Sequence, residues 1–330
     1  MTPGATLPVA LDAMGGDKAP NEIVAGARQA ADEHGVDVVL VGPPELVGDT
    51  LGLELVACTE VIGMDEDPAA SVRRKKDASL VRCAELVRDG KASATVSAGN
   101  TGAAMAAALL RLGRLKGVAR PCIATPIPRP GHTPVVLCDA GANAECTPEM
   151  LVQFAQMASA HVTSRYGVKS PLVGLLSIGE EPTKGTPLVK ETHALLKDGS
   201  SGVAFYGNVE GRDLSGSPVD VVVTDGFTGN VALKTLEGAL RFMFTTIMGV
   251  IGTDDATRAA GEVLMPHLLP YAEDLDPDAH GGAILLGVDG VAVISHGSSS
   301  ARAIKNALRV ARDLAAGGEV DALRAAVRPS

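Results

Sequence analysis

The chain has no tryptophan, and aromatic residues make up only 2% of its 330 positions. A core of the size this length can bury must therefore be aliphatic and alanine-packed, which favours helices lying close on a sheet. Cysteine is scarce as well: the five present have no metal-ligand spacing and no small-domain framework, so a reducing, cytoplasmic setting is expected. Excess positive charge is missing. The net charge of −10 argues against broad nucleic-acid binding, although a local basic patch can still serve an acidic partner. No apolar run approaches about 18 residues without polar interruption, so no transmembrane span is expected, and no basic-then-apolar leader opens the chain. The acids are scattered and the histidines unpaired in spacing, so neither a metal nor a cofactor is expected.

What is present is a steady alternation of apolar strands and helical segments. Residues 7–12, 36–41, 94–96, 135–138, 171–178, 203–207, 219–224, 281–286 and 291–295 read as strands, and 53–61 as one or two weaker ones. Helical segments follow most of them, including one from Asn21, placed to cap it, to about His34. The opening strand–helix–strand unit predicts an α/β fold with parallel strands covered on both faces. Residues 121–134 are proline-rich and read as a loop around a short strand. Two long helices, 231–248 and 257–269, form a hairpin whose apolar tip, with Phe242, Phe244, Ile247 and Met248, predicts a covered face. A second copy of the chain is the favoured cover, and a membrane surface the alternative.

The polar residues gather where open α/β folds place ligands, in the loops after strands. Ser97, Gly99, Asn100, Thr101 and Gly102 form a strand–glycine–helix turn suited to an anion at a helix start. The pattern matches neither a dinucleotide fingerprint nor a Walker loop. Asp139, Gly141 and Asn143 repeat the theme, and Asp225 with Asn230 does so again. Asp12, Gly15, Gly16 and Asp17 make a fourth such turn, and His296 opens the loop before the last helix. Lys184 and Lys234 are the nearest cations. For any single acid, capping a helix or a turn competes with ligand binding. There is no G-x-S-x-G elbow, and no histidine–acid pair is visible beside Ser97. Arg73, Arg74, Lys75 and Lys76 form the densest positive run, either a solvated helix face or a dock for a phosphate or an acidic partner.

Taken with residues 11–17, 97–102, 139–146, 177–185, 207–213, 225–235, 281–288 and 295–298, the chain resembles the PlsX-type phosphate acyltransferases, also called acyl-acyl-carrier-protein:phosphate acyltransferases. The match spans almost the whole chain in the family's order. The resemblance implies a three-layer α/β/α fold of the isocitrate/isopropylmalate dehydrogenase-like type, with two intertwined domains around a cleft. Residues 1–125 plus 285–330 would form the first domain, and 126–284 the second, which carries the helical hairpin at about 231–270. It further implies transfer of a long-chain fatty acyl group from acyl carrier protein to inorganic phosphate, for phospholipid synthesis. It also implies a homodimer, peripheral membrane contact and association with a membrane glycerol-3-phosphate acyltransferase. Lys184, Asn100, Asn143 and His296 are the expected catalytic residues. Loops 97–102 and 139–143 are expected to hold phosphate or the oxyanion together, and Arg73 to Lys76 to dock the carrier. The alternatives are a phosphotransacetylase-like enzyme acting on acyl-CoA, a decarboxylating 2-hydroxy-acid dehydrogenase, and a non-catalytic scaffold at a membrane surface.

Overall fold

The computed structural model describes residues 7–216 and 218–327. Eleven strands form one sheet: β1 Val9–Asp12, β2 Val38–Gly42, β3 Glu54–Ala57, β4 Ala94–Ser97, β5 Cys122–Ile127 and β6 Val135–Cys138. They continue with β7 Leu172–Leu176, β8 Ala204–Val209, β9 Val221–Val223, β10 Ala283–Leu286 and β11 Val291–Ile294. Their order across the sheet is β3-β2-β1-β4-β11-β10-β5-β6-β9-β7-β8. Strands such as β2, β9, β10 and β11 read as almost purely aliphatic runs because both faces are covered. In β6, Val136 and Cys138 enter one core while Val135 and Leu137 enter the other. Helices Asn21–His34, Pro148–Tyr166 and Ala301–Ala316 cover the first face, and Ser79–Arg88 and Thr101–Arg111 the second. Alanines at the contacts (Ala27, Ala30, Ala307, Ala311) replace the missing aromatics.

Strand direction decides what the loops can do together. β3, β2, β1, β4 and β11 run parallel to one another, and β10 is antiparallel to both β11 and β5. β5 is in turn antiparallel to β6, which β9, β7 and β8 follow in parallel. The loops after β1, β4 and β11 therefore leave one end of the sheet, and those after β6, β7 and β9 leave the other. The sheet is continuous, and the expected divisions at 125/126 and 284/285 fall within β5 and β10.

Local expectations mostly need longer elements. β5 is a six-residue strand in mid-sheet, not a short strand inside a loop; Pro126 sits within it, opposite Val136. Only one strand forms within 53–61. The Asn21–His34 helix has Pro20 at its N-cap with no side-chain cap, so Asn21 does not cap it. The hairpin helices extend to Gly226–Ile251 and Asp255–Leu275. Among their described side chains only Gly226, Gly229, Leu233 and Gly261 are buried, while Phe242 is 72% and Val263 69% exposed. No helix among the described residues is long and apolar enough to cross a membrane.

Candidate active site

The loops after β1, β4 and β11 meet at one end of the sheet around a buried carboxylate. Asp12 accepts hydrogen bonds from Ser79 Oγ (2.6 Å), Ser97 Oγ (2.8 Å) and the Met14 amide (3.2 Å). Burial pushes its carboxyl above the usual range, and the Ser79, Ser97 and Met14 bonds pull against that rise. Ser97 Oγ accepts the Gly99 amide at 3.0 Å, so one hydroxyl ties the second turn to the first. Gly15 has to be glycine: a Cβ there would lie 2.7 Å from both Asp12 Oδ2 and the Gly99 nitrogen. The Asp17 amide donates to Gly297 O (2.7 Å) and Ser295 to Ser97 O (2.9 Å), bringing in the loop that carries His296. Gly16 adopts a positive φ against Gly297 and Ala98.

Asn100 caps the Thr101–Arg111 helix, its Oδ1 accepting the Ala103 amide at 3.1 Å. Its Nδ2 donates to Met64 O (3.0 Å) and Glu66 O (3.2 Å). Both amide protons are committed to carbonyls, so Asn100 positions the loop instead of offering a donor to an anion. The Thr101 and Gly102 amides remain in the first turn without an intrahelical acceptor, and Thr101 is exposed.

Asp139, Asn143, Asp225 and Asn230 lie at the opposite end of the sheet. There the nest of amides is filled by the chain itself. Asp139 Oδ1 accepts Ile123, Gly141 and Ala142 amides at 2.9, 3.2 and 2.9 Å. Its Oδ2 accepts Asn143 N at 2.7 Å and Asn143 Nδ2 at 2.8 Å. Burial raises this carboxyl, with the amide donors opposing. The second Asn143 amide proton goes to Pro121 O at 2.8 Å, so Asn143 too has no donor to spare. The turn serves as the seat of the long helix. Asn143 O accepts the Gly226 amide (2.7 Å), Asn230 Nδ2 donates to Ala140 O (3.1 Å), and Asp225 caps through Thr228 (2.8 Å). Any side chain at Gly229 would collide with Asp139 O. β4 and β6 are four strands apart, about 19 Å across the sheet. With the two turns also at opposite ends, loops 97–102 and 139–143 cannot grip one phosphate within one chain. A single chain therefore does not bring these two turns to one site.

Lys184 is exposed in the loop after β7, at the Asp139 end, where its stem packs near Gly179. Lys234 belongs to the other end. Roughly 16 Å of helix separates Gly226 from Glu237, and this carries Lys234 and Glu237 along the sheet to His296. Lys234 Nζ is 2.8 Å from Glu237 Oε2, and His296 Nε2 is 3.5 Å from Glu237 Oε1. Half-burial of Glu237 favours the neutral acid, but His296 and Lys234 outweigh it and bring the carboxyl down to about 2. This histidine–acid contact has no signature in the sequence, because its members lie 59 positions apart (296 − 237) on different elements. Ser79 was missed for the same reason.

Of the basic run, Arg74 (3.2 Å) and Lys75 (2.5 Å) are held by Glu66, while Arg73 and Lys76 are exposed. The Gly63 amide, then Lys75 and Ser71, draw the Glu66 carboxyl down to about 2. Since Asn100 bonds Met64 and Glu66, this patch adjoins the 97–102 turn. Among the described residues no group of acids, histidines and cysteines is arranged to hold a metal ion.

Residues 7–320 match the sequence model of the family described as "Fatty acid synthesis protein". The chain is 47% identical over 325 residues to the phosphate acyltransferase of Elusimicrobium minutum, covering 96% of this chain and 94% of that one. It is also 47% identical over 312 residues to the phosphate acyltransferase of Pelotomaculum thermopropionicum, covering 92% and 90%. Among solved structures it superposes on a phosphotransacetylase from Streptococcus pyogenes with a TM-score of 0.61, 17% identity and 95% coverage of both chains. A 4-hydroxythreonine-4-phosphate dehydrogenase from Klebsiella pneumoniae superposes with a TM-score of 0.54, 12% identity and coverage of 94% and 100%. At these identities the two structures establish the fold, an α/β architecture shared with a dehydrogenase.

Proposed function

Because the chain belongs to the fatty acid synthesis protein family, alongside phosphate acyltransferases, we propose that it transfers a long-chain fatty acyl group from acyl carrier protein to inorganic phosphate. The observation that carries this is near-full-length similarity to two phosphate acyltransferases at 47% identity. The convergence of the 12–17, 97–102 and 295–300 loops supports it as the place of reaction.

The chemistry asks little of the protein beyond alignment and charge stabilisation. A phosphate oxygen attacks the thioester carbonyl, forming the new C–O bond and placing charge on the carbonyl oxygen. Collapse breaks the C–S bond. One proton moves from phosphate to the departing sulfur, leaving an acyl phosphate and a free thiol. In this proposal the Thr101 and Gly102 amides and the Thr101 hydroxyl hold the anion at the helix start. Lys234 adds positive charge, and His296 relays the proton. Asp12, Gly15, Gly16, Asp17, Ser97 and Gly99 keep the loops in register. Asp139, Gly141, Asn143, Asp225 and Asn230 seat the long helix.

The proposal also includes a homodimer covering the apolar hairpin, peripheral contact with a membrane, a cytoplasmic location, and delivery of product to a membrane glycerol-3-phosphate acyltransferase. Lys184 follows β7 and His296 follows β11, so within one chain they leave opposite ends of the sheet. The proposal therefore assigns it to the site of the adjoining subunit. Exposed Arg73 and Lys76 beside the 97–102 turn suit an acidic carrier, with Arg74 and Lys75 set by Glu66.

The test is phosphate-dependent release of thiol from acyl-acyl carrier protein, with acyl phosphate as co-product, run in parallel with acyl-CoA. Faster reaction with the CoA thioester would favour a phosphotransacetylase-like activity. No thiol release from either would overturn acyl transfer.

A further inference from the structure

The contact between His296 and Glu237 joins parts of the molecule that start at opposite ends of the sheet. His296 follows β11, whereas Glu237 lies on the Gly226–Ile251 helix, seated on the Asp139 turn. Glu237 sits between two donors, one oxygen toward each: Lys234 Nζ at 2.8 Å and His296 Nε2 at 3.5 Å. Its side chain is 22% exposed, against 49% for Lys234 and 45% for His296, so the acid lies beneath its two partners, which face the solvent. At 3.5 Å the imidazole contact is longer than a hydrogen bond, as is common before substrate binds and the site tightens.

We infer that Glu237 is a positioning residue for acyl transfer, holding the Nε2 edge of His296 toward itself and presenting Nδ1 to the reacting groups. The inference rests on the acyl-transfer reading above and adds a group to it. As the site tightens on substrate the acid accepts from Nε2–H, which fixes the tautomer with the proton on that nitrogen and leaves Nδ1 as the proton acceptor. Nδ1 then takes the phosphate proton and hands it to sulfur as the C–S bond breaks, so the imidazole is regenerated and the proton balance closes. The contacts with His296 and Lys234 outweigh the burial that favours the neutral acid and keep Glu237 ionised, so it cannot itself donate that proton near neutral pH. The same carboxylate holds Lys234 beside the histidine. The seat of the long helix at the far end of the sheet thereby sets the geometry at the near end.

The experiment compares wild type, Glu237→Ala and Glu237→Gln for phosphate-dependent thiol release, with ring-nitrogen NMR of histidine-labelled protein. Glu237→Ala should lower kcat by about 100-fold, the lower end of what a positioned acid–base group contributes. KM for the acyl carrier should stay within about 3-fold of wild type. Glu237→Gln still accepts from Nε2–H and should recover most of that loss. The His296 ring signals, assigned with His296→Gln, should show Nε2 protonation in wild type and in Glu237→Gln and a tautomer mixture in Glu237→Ala. An Ala variant with wild-type kcat, or ring signals identical in all three proteins, would overturn the inference while leaving acyl transfer standing. If wild type releases no thiol, the acyl-transfer reading fails, and with it the role of Glu237 in that reaction.

Discussion

Two buried aspartates, each replaced by its isosteric amide, should respond to very different extents, and the difference tests which turn is a structural seat. At Asp139 both oxygens face only N–H donors: three amides at Oδ1, and Asn143 N with Nδ2 at Oδ2. Asp139→Asn has to turn an NH2 toward one of these sets, and the smaller set still strands two part-buried donors. At about 1–3 kcal/mol each, the loss is about 2–6 kcal/mol. Relief from burying a charge, the cause of the raised carboxyl there, offsets part of it. At Asp12 the partners include hydroxyls that can rotate. An amide nitrogen at the Oδ2 position can donate to Ser97 Oγ, whose two lone pairs take both it and the Gly99 amide. The Ser97 proton and the second Nδ2 proton are left over, and relief from burying a charge offsets their cost. Asp12→Asn should therefore cost about 1 kcal/mol or less. Urea denaturation at pH 7, with slopes compared to confirm the same unfolded state, should separate the variants by about 1 kcal/mol or more. Equal midpoints, or a more stable Asp139→Asn, would refute the reading of the Asp139 turn as a self-filled amide nest.

The remaining predictions concern burial, pH and the surface. His161 Nδ1 and Glu319 Oε1 are 2.8 Å apart, with side chains 1% and 2% exposed, so His161→Ala strands a buried acid and should cost about 3–5 kcal/mol by urea melt; a loss under about 1 kcal/mol would contradict this. Glu66 and Glu237, both drawn from 4.5 to about 2, contribute stability that is present above pH 4.5 and lost as pH falls from there through about 2. Denaturation midpoints taken down the acid range should therefore fall less steeply for Glu237→Gln than for wild type. Asp12 works in the opposite sense. Its raised carboxyl contributes stability below about 3.8 that is lost as pH rises through its folded value, so Asp12→Asn gains on wild type as pH rises. Reversing Arg73 and Lys76 together should raise KM for the acyl carrier at low salt and leave KM for phosphate unchanged; an unchanged carrier KM would remove that patch from docking. Subunits carrying Lys184→Ala mixed with subunits carrying His296→Ala should regain part of the activity that each homodimer lacks, and failure to recover any would remove Lys184 from the neighbouring site.

Local pattern was enough to read the α/β alternation, because each strand is an apolar run and each turn is marked by glycine, asparagine or aspartate. Where the chain misled, the cause was non-local. Pro126 looked like a loop marker, yet it lies in a mid-sheet strand opposite Val136. Asp225 to Asn230 read as a turn, whereas Asp225 caps a helix that begins at Gly226. The larger difference concerns the turns at 97–102 and 139–143, which look alike in sequence: strand, small residues, asparagine, helix. They differ in where the acid stands. At Asp139 the carboxylate belongs to the turn and occupies its amides. In the other turn the acid is Asp12, on a neighbouring strand, reached through Ser97 Oγ, so the helix-start amides at Thr101 and Gly102 are left facing outward. The antiparallel pairs flanking β5 and β10 then send the two turns to opposite ends of the sheet. A repeated motif therefore does not imply a shared site. One turn became the footing of a long helix, and that helix returns Lys234 and Glu237 to the end where the other turn waits beside His296. In the proposed site the two resemblant turns are joined only through the helix between them, so a substitution at Asp139 should change stability first and catalysis second.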